Sequence, residues 1–389
     1  MIPASKMPGV GDTIFTEMSS LARQLDAINL GQGYPDYQPD SLLLDHVCDA
    51  IRQGPNQYAP MSGVPALRNA IRDKVLAHQG AEYDADTEIT VTSGATEALS
   101  TSLLALVHPG DEVILLDPSY DLYAPVVRLA GGNPVHIAMT PPKDTESNYA
   151  LDWEAISRAV NARTRILMMN FPHNPSGLVL KDADLDALSQ IAERHEFLIL
   201  SDEAYEHIYF DGLPYRSPVN RPALAARCVL ISSFAKTLHA TGWKVGYCCA
   251  PAAITREIRK VHQFSVFSVN TAIQAGIAAY LGASDAVRQL PVFYQQKRDR
   301  LIRGLGSTRL RPLPTEGTFF LLADTGALGA GPEKELAVRL AREAGVATIP
   351  VSAFYPDPAA AESNHHLLRF CFAKQDATLD AAIERLQRL

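Results

Sequence analysis

Between about residues 45 and 280 the chain repeats one pattern: a short apolar run, a stretch with apolar residues on one helical face, then another short apolar run. The apolar runs are ITVTS (89–93), EVILLDP (112–118), PVHIAM (134–139), RILMMN (165–170), FLILSDE (197–203), CVLISS (228–233) and KVGYCCA (244–250). Several are continuously apolar, as strands buried on both faces of a mostly parallel sheet must be. Helix-period stretches such as DADLDALSQIAERH (182–195) lie between them. The expected fold class is α/β, with a mostly parallel seven-stranded sheet in a large domain. In such sheets ligands bind beyond the carboxyl ends of the strands. Segments 93–97, 117–123, 170–176, 202–205 and 233–236 each fall at or just past such an end.

The flanks read differently. Residues 1–30 suggest an arm and one helix (FTEMSSLARQL), ending at the loop NLGQGYPD (29–36). Helix dominates from 271 through 305, with an interruption expected near Pro291. Beyond it, LRPLPTEGTFFLLAD (310–324), ATIPVS (347–352) and HLLRFCF (366–372) supply strands, and PEKELAVRLAREAG (332–345) an amphipathic helix. The expected division is an N-terminal arm and part of a small domain (1–44), a large α/β domain (45–285), and a small C-terminal α+β domain (286–389).

Composition narrows the class. The apolar share is 47%, the charged share 20% and the formal charge −8, which describes an ordinary globular protein of two domains. No Lys/Arg-rich block offsets that acidity, so nucleic acid is not an expected partner. Five cysteines form no CxxC pair, and the expectation is buried free thiols in a reducing compartment. No signal-peptide pattern and no apolar run near the roughly 18 residues of a membrane helix are present. A cytoplasmic location and no membrane partner are expected.

The strand-end segments carry the candidate chemistry. Lys236, in SSFAKTLHATGWKVGY (232–247), follows an apolar run, and a buried amine loses pKa to desolvation and becomes a nucleophile toward carbonyls. Asp202, in SDEAY (201–205), ends a buried strand, where an unpaired carboxylate is costly; a helix N-cap is its plainer use. Glu203 beside it is expected to be solvated or structural. Gly94-Ala95-Thr96 open a helix whose free N–H groups and dipole suit an anion. The GQG of the 29–36 loop lacks the third glycine and the following helix of a dinucleotide fingerprint, and reads instead as a tight loop over a ligand. His173 and His239 are isolated, and no Cys/His spacing suggests a metal.

NLGQGYPD, SGATEA, DPSYDLY, NFPHNPSG, SDEAY, SSFAKT and LLRFCF, in that order, resemble the pyridoxal-phosphate-dependent aminotransferases of fold type I, class I/II. The methionine and kynurenine (glutamine) branch is the most similar, and the resemblance runs from residue 29 to 374. It implies pyridoxal 5′-phosphate as cofactor and Lys236 as its covalent anchor and proton carrier. Asp202 would pair with the ring nitrogen, and Tyr205 and Asn174 would hydrogen-bond the ring oxygen. Gly94, Ala95, Thr96, Ser233 and Lys244 would hold the phosphate, with Lys244 standing where many relatives have arginine. Tyr120 would stack on the ring. Arg369, with Asn174, would bind the substrate carboxylate. Tyr58 matches a tyrosine that reaches the phosphate from a neighbouring subunit, which implies a homodimer with shared sites.

Gly33, Tyr34, Phe15 and Phe267, with Ile14, Tyr37 and Phe319 near, would form an apolar substrate pocket. No second arginine is assignable to a side-chain carboxylate. The implied reaction moves the amino group of methionine or an aromatic amino acid to a 2-oxo acid by a ping-pong mechanism. Kynurenine/glutamine transamination with cysteine-S-conjugate β-lyase activity is the alternative, although Ser268 replaces a histidine found in some kynurenine enzymes. A cofactor-binding transcriptional regulator of this fold would need a basic helix-turn-helix ahead of the loop at 29–36, where about 30 residues stand.

Overall fold

The computed structural model describes residues 4–54 and 56–389. Its main sheet has seven strands: β1 (Ile89–Thr92), β2 (Glu112–Asp117), β3 (Asn133–Ala138), β4 (Thr164–Asn170), β5 (Leu198–Asp202), β6 (Cys228–Ser233) and β7 (Gly246–Cys249). Their spatial order is β1-β7-β6-β5-β4-β2-β3, parallel except for β7, which runs antiparallel to both its neighbours. The period of two is visible in the packing. Leu167, Ile199 and Leu230 enter one core, while Ile166, Leu200 and Val229 enter the core on the opposite face. Each such side chain contributes about 1.5–3 kcal/mol of burial. That demand on both faces explains the unbroken apolar runs.

The register decides where the site forms. Asn170 of β4 lies opposite Asp202 of β5, Asp202 opposite Ile231, and Ser233 of β6 opposite Gly246 of β7. The strand ends therefore line up along one edge. Lys244 is left-handed (φ 54°), so β7 begins two residues later than the apolar run suggested and the lysine stands outside the ladder.

A second core surrounds a four-stranded antiparallel sheet of Arg311–Pro312, Phe320–Asp324, Leu367–Cys371 and Ile349–Pro350. The helices Glu333–Glu343 and Asp376–Leu386 cover it. The helix Ile14–Leu25 adds Met18 and Ala22, one turn apart on its buried face. Ile28–Asn29 also pair with Val346–Ala347. Ala204, Tyr205 and Ile208, just past β5, belong to this core around the smaller sheet. The main sheet and that core thus meet at the end of β5.

Two expectations are corrected. Pro291 lies inside the helix Ala286–Leu305, and the break falls earlier, at extended Ser284. A proline this close to the helix start forfeits only one backbone bond, to the carbonyl of Val287. Cys48 is exposed, on the helix Ser41–Gln53, whereas the other four cysteines are buried; all five are free. No helix among the described residues is long and apolar enough to cross a membrane.

Candidate active site

A cavity of about 620 Å³ opens over the carboxyl ends of β4, β5 and β6. Asp202 sits in its floor, buried. Its Oδ2 accepts from the Tyr123 hydroxyl at 2.8 Å and its Oδ1 from the Ala204 N–H at 3.2 Å. Burial pushes its pKa up, and the Tyr123 hydroxyl, the Ala204 N–H and the Lys236 charge pull it back. Asn170 ties the neighbouring strand to the same residue, donating to the Asp202 carbonyl at 2.9 Å.

One wall is built to receive an anion. The helix Gly94–Leu106 points its N-terminus into the cavity, and no side chain caps it. Gly94 has φ +73°, and a Cβ there would lie 3.5 Å from Lys244 Nζ, so the ammonium stands over the uncapped turn. Gly246 permits this approach. A Cβ on it would lie 2.7 Å from the Gly94 carbonyl carbon and 2.8 Å from the Ala95 nitrogen. Ser233 completes the wall; its Oγ accepts from the Ala235 N–H and starts the short helix that carries Lys236.

Lys236 Nζ donates to the Gly33 carbonyl at 2.7 Å and stands 5.4 Å from the Phe319 ring centre and 6.0 Å from that of Tyr205. Burial lowers its pKa to about 8; Arg369 and Lys244 act in the same direction, Cys371 and Asp202 against. A sizeable fraction of the amine is therefore neutral near physiological pH. Arg369, on the strand Leu367–Cys371, is fully buried. Its Nη1 donates to Asn174 Oδ1 at 2.7 Å and its Nη2 to the Gly31 carbonyl at 2.8 Å. Its guanidinium lies 3.8 Å from the Phe320 ring centre, and its Nε, also buried, has no partner. Burial lowers even this pKa to about 10. A guanidinium fixed on one side by carbonyls and stacked on a ring is preorganised for a carboxylate.

Behind Asp202 lies a network of buried ions and hydroxyls. Glu203 accepts from Ser201 at 2.8 Å and from Tyr215 and Ser217; burial raises its pKa to about 7 against those donors. It is structural, joining helix Pro65–Gln79 to the sheet through Gln79. Glu206 accepts from Lys74 at 2.7 Å, Gln79 at 2.9 Å, Tyr247 at 2.9 Å and Ser232. His78, Glu206 and His207 bring possible ligand atoms within 4.8 Å of one another. Those four donors already occupy the Glu206 oxygens, so the trio is an ion-paired network and not a ready metal centre.

Thirteen expected residues line the cavity: Phe15, Gly33, Gly94, Ala95, Thr96, Tyr120, Asn174, Asp202, Tyr205, Ser233, Lys236, Lys244 and Arg369. Tyr34, Tyr58 and Phe267 are not brought there within one chain. Tyr58 is 83% exposed and packs edge-on against Phe267, and Tyr34 lies under the Lys374 ammonium. Ile14, Tyr37 and Phe319 also stay outside; Phe319, just ahead of the strand Phe320–Asp324, packs against Tyr205 and Tyr294, while Phe320, its neighbour in sequence, lines the cavity. His173 bridges two site loops, contacting Ser176 Oγ at 2.7 Å and the Pro118 carbonyl at 3.1 Å, and burial lowers its pKa to about 4. His239 packs among Tyr37, Phe293 and Tyr294. Sequence reasoning missed Tyr123, Asp121 and Asn170. The three-residue spacing of Tyr120 and Tyr123 in DPSYDLY was the available signal for the first.

The donor set fits pyridoxal phosphate. Uncapped N–H groups beside a lysine suit its phosphate, the buried carboxylate a protonated ring nitrogen, and the lysine of lowered pKa its aldehyde. Comparison with known proteins agrees. The family model for "Aminotransferase class I and II" matches residues 26–386. The chain is 49% identical to the methionine aminotransferase of Escherichia coli K12, covering 100% of this chain and 99% of that protein. It is 33% identical to kynurenine–oxoglutarate transaminase 1 of Rattus norvegicus, covering 100% and 98%. The crystal structure of an Escherichia coli protein described as a methionine aminotransferase superposes with a TM-score of 0.95 at 49% identity, over 100% of both chains. That of the Mycobacterium tuberculosis N-succinyldiaminopimelate aminotransferase gives 0.94 at 41%, again over 100% of both. With a fold-type I architecture and a match across its length, this chain belongs to the class I and II aminotransferases, enzymes that work through pyridoxal 5′-phosphate.

Proposed function

We propose that this aminotransferase takes its amino group from methionine or an aromatic amino acid and delivers it to a 2-oxo acid in a ping-pong cycle. The observation that carries the reading is the grouping of Lys236, Asp202 and Arg369 in one cavity whose remaining wall includes Phe15, Tyr120 and Phe320. Similarity to the Escherichia coli methionine aminotransferase supports it.

In this reading Arg369 receives the substrate α-carboxylate, with Asn174 holding the guanidinium in plane. The Gly94–Thr96 turn, Ser233 and Lys244 hold the phosphate, Tyr120 covers the ring, and Asp202 balances the charge of the ring nitrogen. Tyr205 and Asn174 donate toward the ring oxygen. The bound cofactor supplies an aldehyde for amine exchange and a ring that draws electrons from the substrate α-carbon. Lys236 Nζ, partly neutral because burial lowers its pKa to about 8, would take the proton from the substrate α-carbon and pass it to the carbon that had carried the cofactor's aldehyde. The aromatic wall keeps water from the reacting atoms.

Two wider features belong to the same reading. A second copy of the chain supplies Tyr58, which is exposed and packs edge-on against Phe267, so the working unit is a homodimer. The four buried free thiols suit a reducing, cytoplasmic setting. Relatedness to kynurenine transaminases favours a second reading, in which kynurenine or glutamine is the donor and cysteine S-conjugates undergo β-elimination. A donor panel decides. Methionine, phenylalanine, tyrosine and kynurenine are expected to outrank aspartate, with parallel lines in double-reciprocal plots. Preference for aspartate, or intersecting lines, would overturn the proposal.

A further inference from the structure

The charges lining the cavity do not balance against the tasks assigned to them. Three cations face it, Lys236, Lys244 and Arg369, and the amine, the phosphate and the α-carboxylate use all three. Of its two carboxylates, Asp202 is buried and satisfied by Tyr123 and Ala204. The other is Asp121. It follows the ring-stacking Tyr120 and is half-buried. It lines both this cavity and a neighbouring one of about 1060 Å³ along the helices Ile14–Leu25 and Glu333–Glu343. Asp121 thus stands at the join of the two. No salt bridge reaches its carboxylate among the described residues; burial pushes its pKa up, and the nearby charge of Arg369 and its own backbone N–H pull it back.

A substrate anchored at Arg369 with its amine near Lys236 has little room left. The lining residues those tasks leave free include Val10, Thr13, Phe15 and Asp121, and three of these also line the neighbouring cavity, so the side chain is directed there. None of those residues is cationic, and Arg369, the positive charge nearest Asp121, is taken by the α-carboxylate. The cations of the outer cavity, Lys334, Arg339 and Arg342, do not line the inner one. A side-chain carboxylate entering this space would lose water without gaining a cation, and would meet a like charge. A thioether, an aromatic ring or a carboxamide meets neither penalty, and a carboxamide N–H can donate to Asp121.

We propose that Asp121 is a specificity-determining residue, a charge filter that admits amino acids and 2-oxo acids with neutral side chains and repels dicarboxylic ones. This rests on the assignment of Arg369 to the α-carboxylate. It identifies the substrate class by charge, where the aromatic wall identifies it only by polarity.

Glutamine and glutamate share a shape and differ in charge, and so do glutaramate and glutarate. The test measures kcat/KM for the first pair and the dissociation constants of the second pair, from the change in cofactor absorbance, on the holoenzyme. Wild type is expected to favour the amide in both pairs by about tenfold or more. Asp121→Asn is expected to reduce both ratios about tenfold, and Asp121→Glu, which keeps the charge, to retain most of them. Wild type that binds glutarate as tightly as glutaramate overturns the proposal even if the variants do not fold. So does an Asp121→Asn enzyme whose amide-to-acid ratios match wild type, whatever its absolute activity, because a merely structural role lowers both members of a pair alike. Should methionine fail as a donor while both ratios behave as stated, the donor assignment falls and the charge filter stands.

Discussion

Tyr123→Phe removes a single hydroxyl from the floor of the site, and its consequence can be worked through. That hydroxyl donates to Asp202 Oδ2 at 2.8 Å inside the protein. Burial already pushes the Asp202 pKa up, and the Tyr123 hydroxyl is the foremost group holding it down. A hydrogen bond to a charged group is worth about 1.5–3 kcal/mol. Its loss therefore raises the proton affinity of Asp202 by about one to two pKa units. An aspartate that holds its own proton cannot balance a charged ring nitrogen. The variant is expected to lose about 10- to 100-fold in kcat/KM for methionine. The acidic limb of its pH–rate profile is expected to move up by about one to two units. Steady-state kinetics across pH, with a thermal melt to establish folding, measure both. A folded variant within about twofold of wild type, with an unshifted acidic limb, would refute the claim that this hydroxyl keeps Asp202 ionised.

Gly246→Ala drives a Cβ to 2.7 Å from both the Gly94 carbonyl carbon and the Ser232 carbonyl oxygen, so the phosphate turn must shift; spectrophotometric titration should show cofactor affinity lower by about tenfold or more, and unchanged affinity would count against the assignment of that turn. In the cofactor-free protein the Lys236 amine, with its pKa lowered to about 8, should gain reactivity toward an acylating label through pH 8, whereas an ordinary lysine does so near about 10.4. Mass-spectrometric labelling against pH reads this out, and a midpoint near 10 would contradict it. Glu206→Gln leaves the Lys74 ammonium buried without its carboxylate, and denaturant titration should show about 3–5 kcal/mol less stability. Burial works against the charge of Glu206, but the Lys74 ammonium outweighs it and holds its pKa below the ordinary range. Its contribution is thus present at neutral pH and lost only as acidification passes below about pH 4. A change under about 1 kcal/mol in the variant would rule out that network as a support of the fold.

Much of this architecture was legible because burial on both faces leaves an unmistakable mark. Each of the seven strands of the main sheet falls on an expected apolar run, with no end displaced by more than two residues. The residues singled out for chemistry mostly sit where a strand stops, and the register brings those ends together. What stayed hidden depends on geometry that periodicity does not carry. Tyr123 reads as a helix-face tyrosine until β5 is placed beneath it, and Asp121 as a turn residue until two cavities meet at it. Phe319 and Phe320 are indistinguishable in the sequence, and only the bend that turns Phe319 onto Tyr205 and Tyr294 decides which one lines the site. Glu203 was expected to be solvated or structural, and three hydroxyl donors, Ser201 on the strand just before it and Tyr215 and Ser217 in the loop that follows, make it structural. Pro291 shows the opposite failure, since a strong local signal was overridden by the helix around it. Tyr58 and Phe267 lie apart from the cavity of their own chain, as residues offered to a second copy would.

The central claim is that one amine, Lys236, carries the cofactor. Borohydride reduction of the holoenzyme followed by peptide mapping addresses it without relying on turnover. The account requires the pyridoxyl group to appear on the peptide containing Lys236 and to vanish from it in Lys236→Ala. Stoichiometric labelling at any other lysine, or none at all in a protein saturated with the cofactor, would contradict it.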